Sequence, residues 1–333
     1  MEWRAIIMAV MLAALLTATF GSRAATNSLA KFSLRFSTNT SIVWQGATTS
    51  LPKSFWIYKR ILPHVFPAAV ISNAIVLASY QSKGFPPPST NRVIIWDSTR
   101  EGDDPLAGNF VILPDEATIQ YVVKLHALGS VEGIPSDKVI VQRAWSCAAL
   151  LGLDHAQLVQ TSIQTNMCEY DAKGQMGENN IGGHSVFLRR RLEGIEFFGD
   201  GNGFEIEFGS DGKIRSFELN WPKVERETSK PTASREEITE CIRAHKIVVL
   251  PEPGEERYFQ RLEALARTKR LVITKITPYY GDGVFGEVPA NDEPPKFITP
   301  FAEVKAVAEF GSSNAPVRFC APILAAEVRR LLR

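Results

Sequence analysis

Between residues 183 and 224 the chain alternates apolar and polar side chains with a period of two, and glycines punctuate the alternation. Phe204-Glu205-Ile206-Glu207-Phe208 places three apolar side chains on one face and two glutamates on the other, the pattern of a half-buried strand. Ser210-Asp211-Gly212-Lys213 follows, and Asp-Gly readily supplies the positive φ of a type I′ turn. Residues 214–221 return as the partner strand, and Pro222 closes it. Upstream, residues 159–167 and 184–192 read as two more strands, the second ending in a tight turn at Glu193-Gly194. So regular a pattern commits the region to an antiparallel sheet with one apolar face, which another element must cover.

The expected cover is a helix starting at Ser136, an N-cap candidate followed by Asp137, whose charge complements the helix dipole. Val139, Val141, Ala144, Trp145, Ala148 and Leu151 form its stripe, Gly152 suits its end, and residues 153–158 read as one further helical turn. A similar order precedes it. Residues 54–80 read as a helical stretch broken by Pro63 and Pro67, with residues 68–81 the better helix. Gly84-Phe85-Pro86-Pro87-Pro88 then enforces an extended crossing. Strands are predicted at 92–96, 109–113 and 118–123, the last two separated by Pro114-Asp115-Glu116. In the final third, Ser234-Arg235-Glu236-Glu237 is a capping box opening a helix to about His245. The proline- and glycine-rich loop 251–254 leads to a short charged helix at 255–267, then strands at 270–280, 297–310 and 317–323. The segment 25–50, rich in Ser, Thr and Asn, reads as a loosely ordered lead-in. Helix followed by antiparallel strands thus occurs three times, near 54–124, 136–222 and 234–324. The fold class expected is α+β, with domains at 25–132, 133–226 and 227–333.

Residues 1–24 have the form of a signal peptide. Arg4 and the amino terminus supply positive charge, residues 5–20 are uncharged and apolar, and Ser22 and Ala24 suit cleavage after Ala24. The run is short for a membrane span, and no later segment approaches spanning length. The mature chain is therefore expected to be exported, to the periplasm, cell surface or medium. Of 37 basic and 36 acidic side chains, removal takes Arg4, Arg23 and Glu2, leaving the formal charges balanced. That balance argues against nucleic acid as a partner and against polybasic membrane tethering.

The four cysteines, Cys147, Cys168, Cys241 and Cys320, permit two disulfides in an exported chain. The favoured pairs are Cys147–Cys168 and Cys241–Cys320, each tying a helix to a strand of its own unit; four free thiols are the alternative. Motifs for chemistry are sparse. No GxSxG elbow, phosphate-binding glycine loop, CxxC or HExxH is present, and neither a metal nor a cofactor is indicated. Gly182-Gly183-His184-Ser185 sets a serine beside a histidine, but adjacent strand residues face opposite ways. Asp200-Gly201-Asn202-Gly203 matches half of a calcium loop and then fails, with Phe204 and Glu205 where an oxygen ligand and a glycine belong. Arg189-Arg190-Arg191 is the most unusual cluster. Arg190 shares a strand face with Val186, Leu188 and Leu192, whereas Arg189 and Arg191 share one with Phe187. Arg189 and Arg191 are binding candidates as a grip on an anion or carboxylate, against plain pairing with Glu205, Glu207 or Glu218. Trp145, Trp221, Phe197 and Phe198 are candidates to line a cleft, with Trp221 the third binding candidate, against plain core.

Arg190-Arg191-Leu192-Glu193-Gly194-Ile195, then Gly199, then Ser210-Asp211-Gly212-Lys213-Ile214, then Trp221, resembles exported bacterial proteins of the PepSY-like and YpeB-like kind. The resemblance covers residues 183–224, extends loosely to Thr277-Pro278-Tyr279-Tyr280 and Ile298-Thr299-Pro300, and is absent from the first 130 residues. It implies cystatin-like units, one helix across a curled antiparallel sheet, and an association with protease propeptides and cell-surface regulation. The expectation is an exported, non-enzymatic binding or regulatory protein that recognises a peptide or protein through a sheet edge or concave face. A hydrolase whose site assembles only in three dimensions and a structural envelope component are the alternatives.

Overall fold

The long strands expected between residues 158 and 220 are present and longer than their alternation suggests. The computed structural model describes residues 39–45, 51–78, 94–97, 108–123, 135–170, 176–198, 202–209, 212–249, 267–282, 285 and 296–333. The signal-peptide segment 1–24, the charged helix expected at 255–267 and the crossing at 84–88 lie outside these, apart from Arg267. In chain order the strands are β1 (Ser41–Trp44), β2 (Ser54–Ile61), β3 (Ile94–Asp97), β4 (Gly108–Leu113) and β5 (Thr118–Val123), then β6 (Leu158–Tyr170), β7 (Met176–Leu192), β8 (Ile195–Glu196), β9 (Gly203–Gly209) and β10 (Ile214–Asn220), then β11 (Lys223–Pro231), β12 (Val248–Val249), β13 (Arg270–Asp282), β14 (Phe297–Phe310) and β15 (Ser313–Pro322). The helices are α1 (Ala68–Leu77), α2 (Asp137–Leu150), α3 (Arg235–Arg243) and α4 (Ala325–Leu332). The fold is mixed α+β and mostly strand. Among the described residues no helix is long and apolar enough to cross a membrane.

The described residues form two compact units. One draws on segments 60–197 and 202–225, the other on segments 1–59, 198–201 and 226–333. In the first unit an antiparallel sheet runs β3-β4-β5-β10-β9-β7-β6, with β8 hairpinned onto β7. Its apolar face carries Val186, Leu188, Phe204, Ile206, Phe208, Phe217 and Leu219. Against it lie Ile140, Ala144 and Ala148 of α2 and Ile71 and Ala74 of α1. Small alanines at the contact let α2 lie close to the strands. The Asn73 amide joins the helices by donating to the Leu150 carbonyl at 2.6 Å, satisfying one of the open acceptors at the end of α2. Ser136 is the N-cap of α2 in extended conformation, but its hydroxyl makes no capping bond. At Gly183 and Gly203 strands β7 and β9 leave no room for a side chain. A Cβ at either would collide with a carbonyl of the facing strand, Phe208 or Leu188 respectively.

In the second unit the sheet runs β1-β13-β14-β15-β12, and β2 joins β14 to β11. Strand β1 runs parallel to its neighbour, β13. Helix α3 packs on α4 and on β15. Its capping box forms in both directions: the Glu237 amide donates to Ser234 Oγ at 3.2 Å, and the Ser234 amide donates to Glu237 Oε2 at 2.9 Å. Both sheets curl through register irregularities. These fall at Arg215, between Ile214 and Ser216, and at Thr274, between Ile273 and Lys275. The Thr274 hydroxyl donates to the Lys305 carbonyl at 3.0 Å.

Several expectations are corrected. Residues 54–61 are strand, not the start of a helix: Tyr58 and Arg60 are buried two apart, at strand spacing, and aromatic and β-branched residues favour the pleated surface. The lead-in contains β1, and a strand, β11, follows Pro222, its charges masking any apolar alternation. The disulfides do not form: Cys147, Cys241 and Cys320 carry free thiols, and the Cys168 side chain lies outside the described residues. Cys241 points at α4, its thiol 4.0 Å from the Val328 carbonyl, whereas Cys320 packs with Val248 and Phe301 and feels Glu303 and Arg318. The two thiols thus have different neighbours. Burial pushes the Cys147 and Cys241 thiols up to about 11, so they stay protonated and poorly reactive.

Candidate functional site

The core face of β7 is bracketed by two buried polar residues. Along that face run His184, Val186, Leu188 and Arg190, at 6%, 0%, 1% and 6% exposure. Period two dictates that these four share a face, so the strand carries a cation at one end of an apolar stripe and an imidazole at the other.

At the Arg190 end the following contacts lie within the first unit. Arg190 Nη1 donates to the Pro222 carbonyl at 2.6 Å, and Nε donates to Gln157 Oε1 at 3.2 Å. Its guanidinium lies over the Trp221 ring, 4.4 Å from the centroid, a cation–π contact strengthened by burial. The Arg190 amide donates to the Asn202 carbonyl at 2.9 Å, and Asn202 Oδ1 accepts from Arg60 Nη2 at 3.2 Å. Asn202 thus serves two arginines. Burial first, then the Arg190 and Lys223 charges, hold the His64 imidazole below its usual pKa. Its ring meets Phe66 edge-on at 4.4 Å.

At the other end His184 faces Thr165 of β6 in the strand register. Its Nδ1 is 3.5 Å from Thr165 Oγ1 and 3.8 Å from Asp137 Oδ1, at the start of α2. Nε2 is buried with no hydrogen-bond partner among the described residues. Hydroxyl, imidazole and carboxylate lie together, but both oxygens address one ring nitrogen. A proton relay needs them on opposite nitrogens, so that the base can take the hydroxyl proton while the acid orients the ring. This arrangement cannot activate Thr165 by that route. Among the described residues no three His, Cys, Asp or Glu side chains gather to hold a metal.

The three sequence candidates have the following surroundings. Arg189 is half-buried in β7, with Gly203 and Val159 opposite it on either side. Arg191 is half-buried, pairs in register with Glu196, and donates from Nε to the Ala156 carbonyl at 2.8 Å. Trp221 is occupied by Arg190, the middle arginine that the sequence assigns to the apolar face. Among the acidic partners expected for the arginines, Glu207 accepts from the Ser216 hydroxyl at 3.0 Å and Glu218 from the Gln120 amide at 2.8 Å. Of the aromatic candidates, Trp145 lies 5.0 Å from His155, Phe197 is fully buried, and Phe198 packs on Tyr279 and Phe301 in the second unit.

What remains open is the outer side of β6. Among the described residues β6 pairs with β7 alone and ends its sheet. Gln160, Ser162, Gln164 and Thr165 are exposed, so side chains on both faces reach solvent. Comparison with known protein families finds no matching family model, and comparison with curated proteins finds no significant match.

Proposed function

We propose that this chain is an exported, non-enzymatic binding or regulatory protein that takes an extended segment of a peptide or protein partner onto a sheet edge. Export rests on the signal-peptide form of residues 1–24. The PepSY-like reading of residues 133–226 and 227–333 draws support from the order of elements. In the first of these segments, α2 is followed by the antiparallel strands β6, β7, β9 and β10, and the helix packs on their apolar face.

One observation carries the reading: β6 is a long terminal strand with a single charged residue. Terminal strands are normally blunted by shortness or charge. Strands β1, β3 and β12 are short, and β11 carries Lys223, Glu225, Arg226, Glu227 and Lys230. Along the chain, β6 reads Leu-Val-Gln-Thr-Ser-Ile-Gln-Thr-Asn-Met-Cys-Glu-Tyr, with one charge near its far end. An unblunted edge offers main-chain donors and acceptors to an incoming strand. The test is a pull-down from cell-envelope extract with the wild-type chain and a Ser162→Lys/Gln164→Lys variant. Both positions are exposed, so the fold tolerates lysine while the edge does not. The expected result is reproducible recovery of a partner by the wild type, lost in the variant. Equal recovery by both, or none by either, overturns the proposal.

A further inference from the structure

The geometry points to a preference at this edge for an extended peptide with a lysine or arginine opposite Thr165, held by the Asp137 carboxylate; this rests on the edge-binding reading above. The window is set by the register. Between β6 and β7 the pairing shifts between Gln160 and Ser162 and again between Asn166 and Met167. Each irregularity bends the edge and disrupts the row of groups an incoming strand needs. The longest regular run is 162–166, and Ser, Ile, Gln, Thr and Asn there carry no charge. A strand added beside this stretch lies about 4.8 Å outward and presents alternate side chains to the α2 side of the sheet.

The polar groups on that side define what fits. Thr165 and His184 are register partners, and Asp137 shares the His184 Nδ1 with Thr165. The Asp137 side chain is nevertheless 68% exposed, so its carboxylate faces solvent beside the longest regular stretch of the edge. Lys138 follows it in the chain but projects about 100° further round the helix, since adjacent helical residues do not face each other. A cationic side chain opposite Thr165 spans the distance to Asp137, with its stem over the Thr165 methyl. An acidic one meets like charge. His184 Nε2 beside them is buried with no hydrogen-bond partner among the described residues.

The probes are acetyl-Thr-Val-Arg-Val-Thr-amide, its Glu counterpart, and two alternately backbone-N-methylated forms of the Arg peptide, titrated against the full chain by calorimetry. The expected result is binding of the Arg peptide at least about ten-fold tighter than the Glu peptide, loss of binding for one methylation pattern, and retention for the other. Asp137→Asn removes the charge preference and Asp137→Glu restores it. Equal affinities for Arg and Glu peptides, with the methylation effect intact, overturn the cation preference and leave edge binding standing. No binding by any peptide, or indifference to both methylation patterns, overturns edge binding itself.

Discussion

Arg190 shows how one buried cation can be made tolerable. Taking a guanidinium out of water costs several kcal/mol unless its donors are matched. Here a backbone carbonyl, a glutamine oxygen and an indole face supply the match. These partners come from Gln157, before β6, and from Trp221 and Pro222, after β10, so the side chain ties together the two ends of the strand series. Arg190→Ala leaves the Pro222 carbonyl and Gln157 oxygen facing a void, and the expected loss is about 3 kcal/mol, read from denaturant midpoints. The same change removes a nearby positive charge from His64, so its imidazole pKa should rise, as followed by NMR titration. A stability loss without that rise would refute the neighbourhood described here. The arginine run was legible in part. Parity assigns Arg190 to the apolar face, but nothing in sequence spacing reveals that Trp221, thirty-one positions on, comes back to cover it.

Helices α3 and α4 contain a pH-sensitive contact. Burial, opposed by Arg330, raises the Glu327 carboxyl from 4.5 to about 7, and its Oε2 has no hydrogen-bond partner among the described residues. Nearby, Arg329 Nε donates to Glu237 Oε1 at 3.1 Å, and Cys241 meets the Val328 carbonyl. Glu327 holds its proton more tightly folded than unfolded. Its contribution is therefore complete below about pH 4.5 and is lost as pH rises through 7. The shift corresponds to at most about 3 kcal/mol. Glu327→Gln, which mimics the protonated acid, should raise stability at pH 8 by up to that amount and flatten the profile between pH 5 and 8. Urea midpoints at both pH values check it; an unchanged slope refutes it. The helix α3 was readable because a capping box is a local signal. Helix α4 was missed although its apolar and charged residues segregate at helical spacing, because Ala325–Leu332 is short and Leu324 before it gives no capping signal.

On the scale of the molecule, the chain crosses between units at 59/60, 197/198, 201/202 and 225/226. The first unit is nearly continuous, interrupted only by 198–201, and has its own core under α1 and α2. The second borrows β1 and β2 from the front of the chain: β1 lines β13, and β2 pairs with β14 and β11. A fragment of residues 60–225 should therefore unfold cooperatively by far-UV circular dichroism. A fragment of residues 226–333, deprived of two strands, should not. Cooperative folding of the shorter C-terminal piece would show that β1 and β2 are dispensable.

By itself the sequence determined the elements whose evidence is local: the alternation in β9 and β10, the capping box at Ser234, and the parity that sends Arg190 inward. It also determined the α+β class, because a half-apolar sheet needs a helical cover. Only the tertiary structure decided which distant segments meet. It separated Cys241 from Cys320, gave Trp221 to Arg190 rather than to Arg189 or Arg191, turned residues 54–61 into strand, and set Asp137 beside Thr165. The physical reason is that backbone conformation follows from neighbours a few residues away, whereas pairing across a sheet is chosen by the burial of the whole apolar face at once.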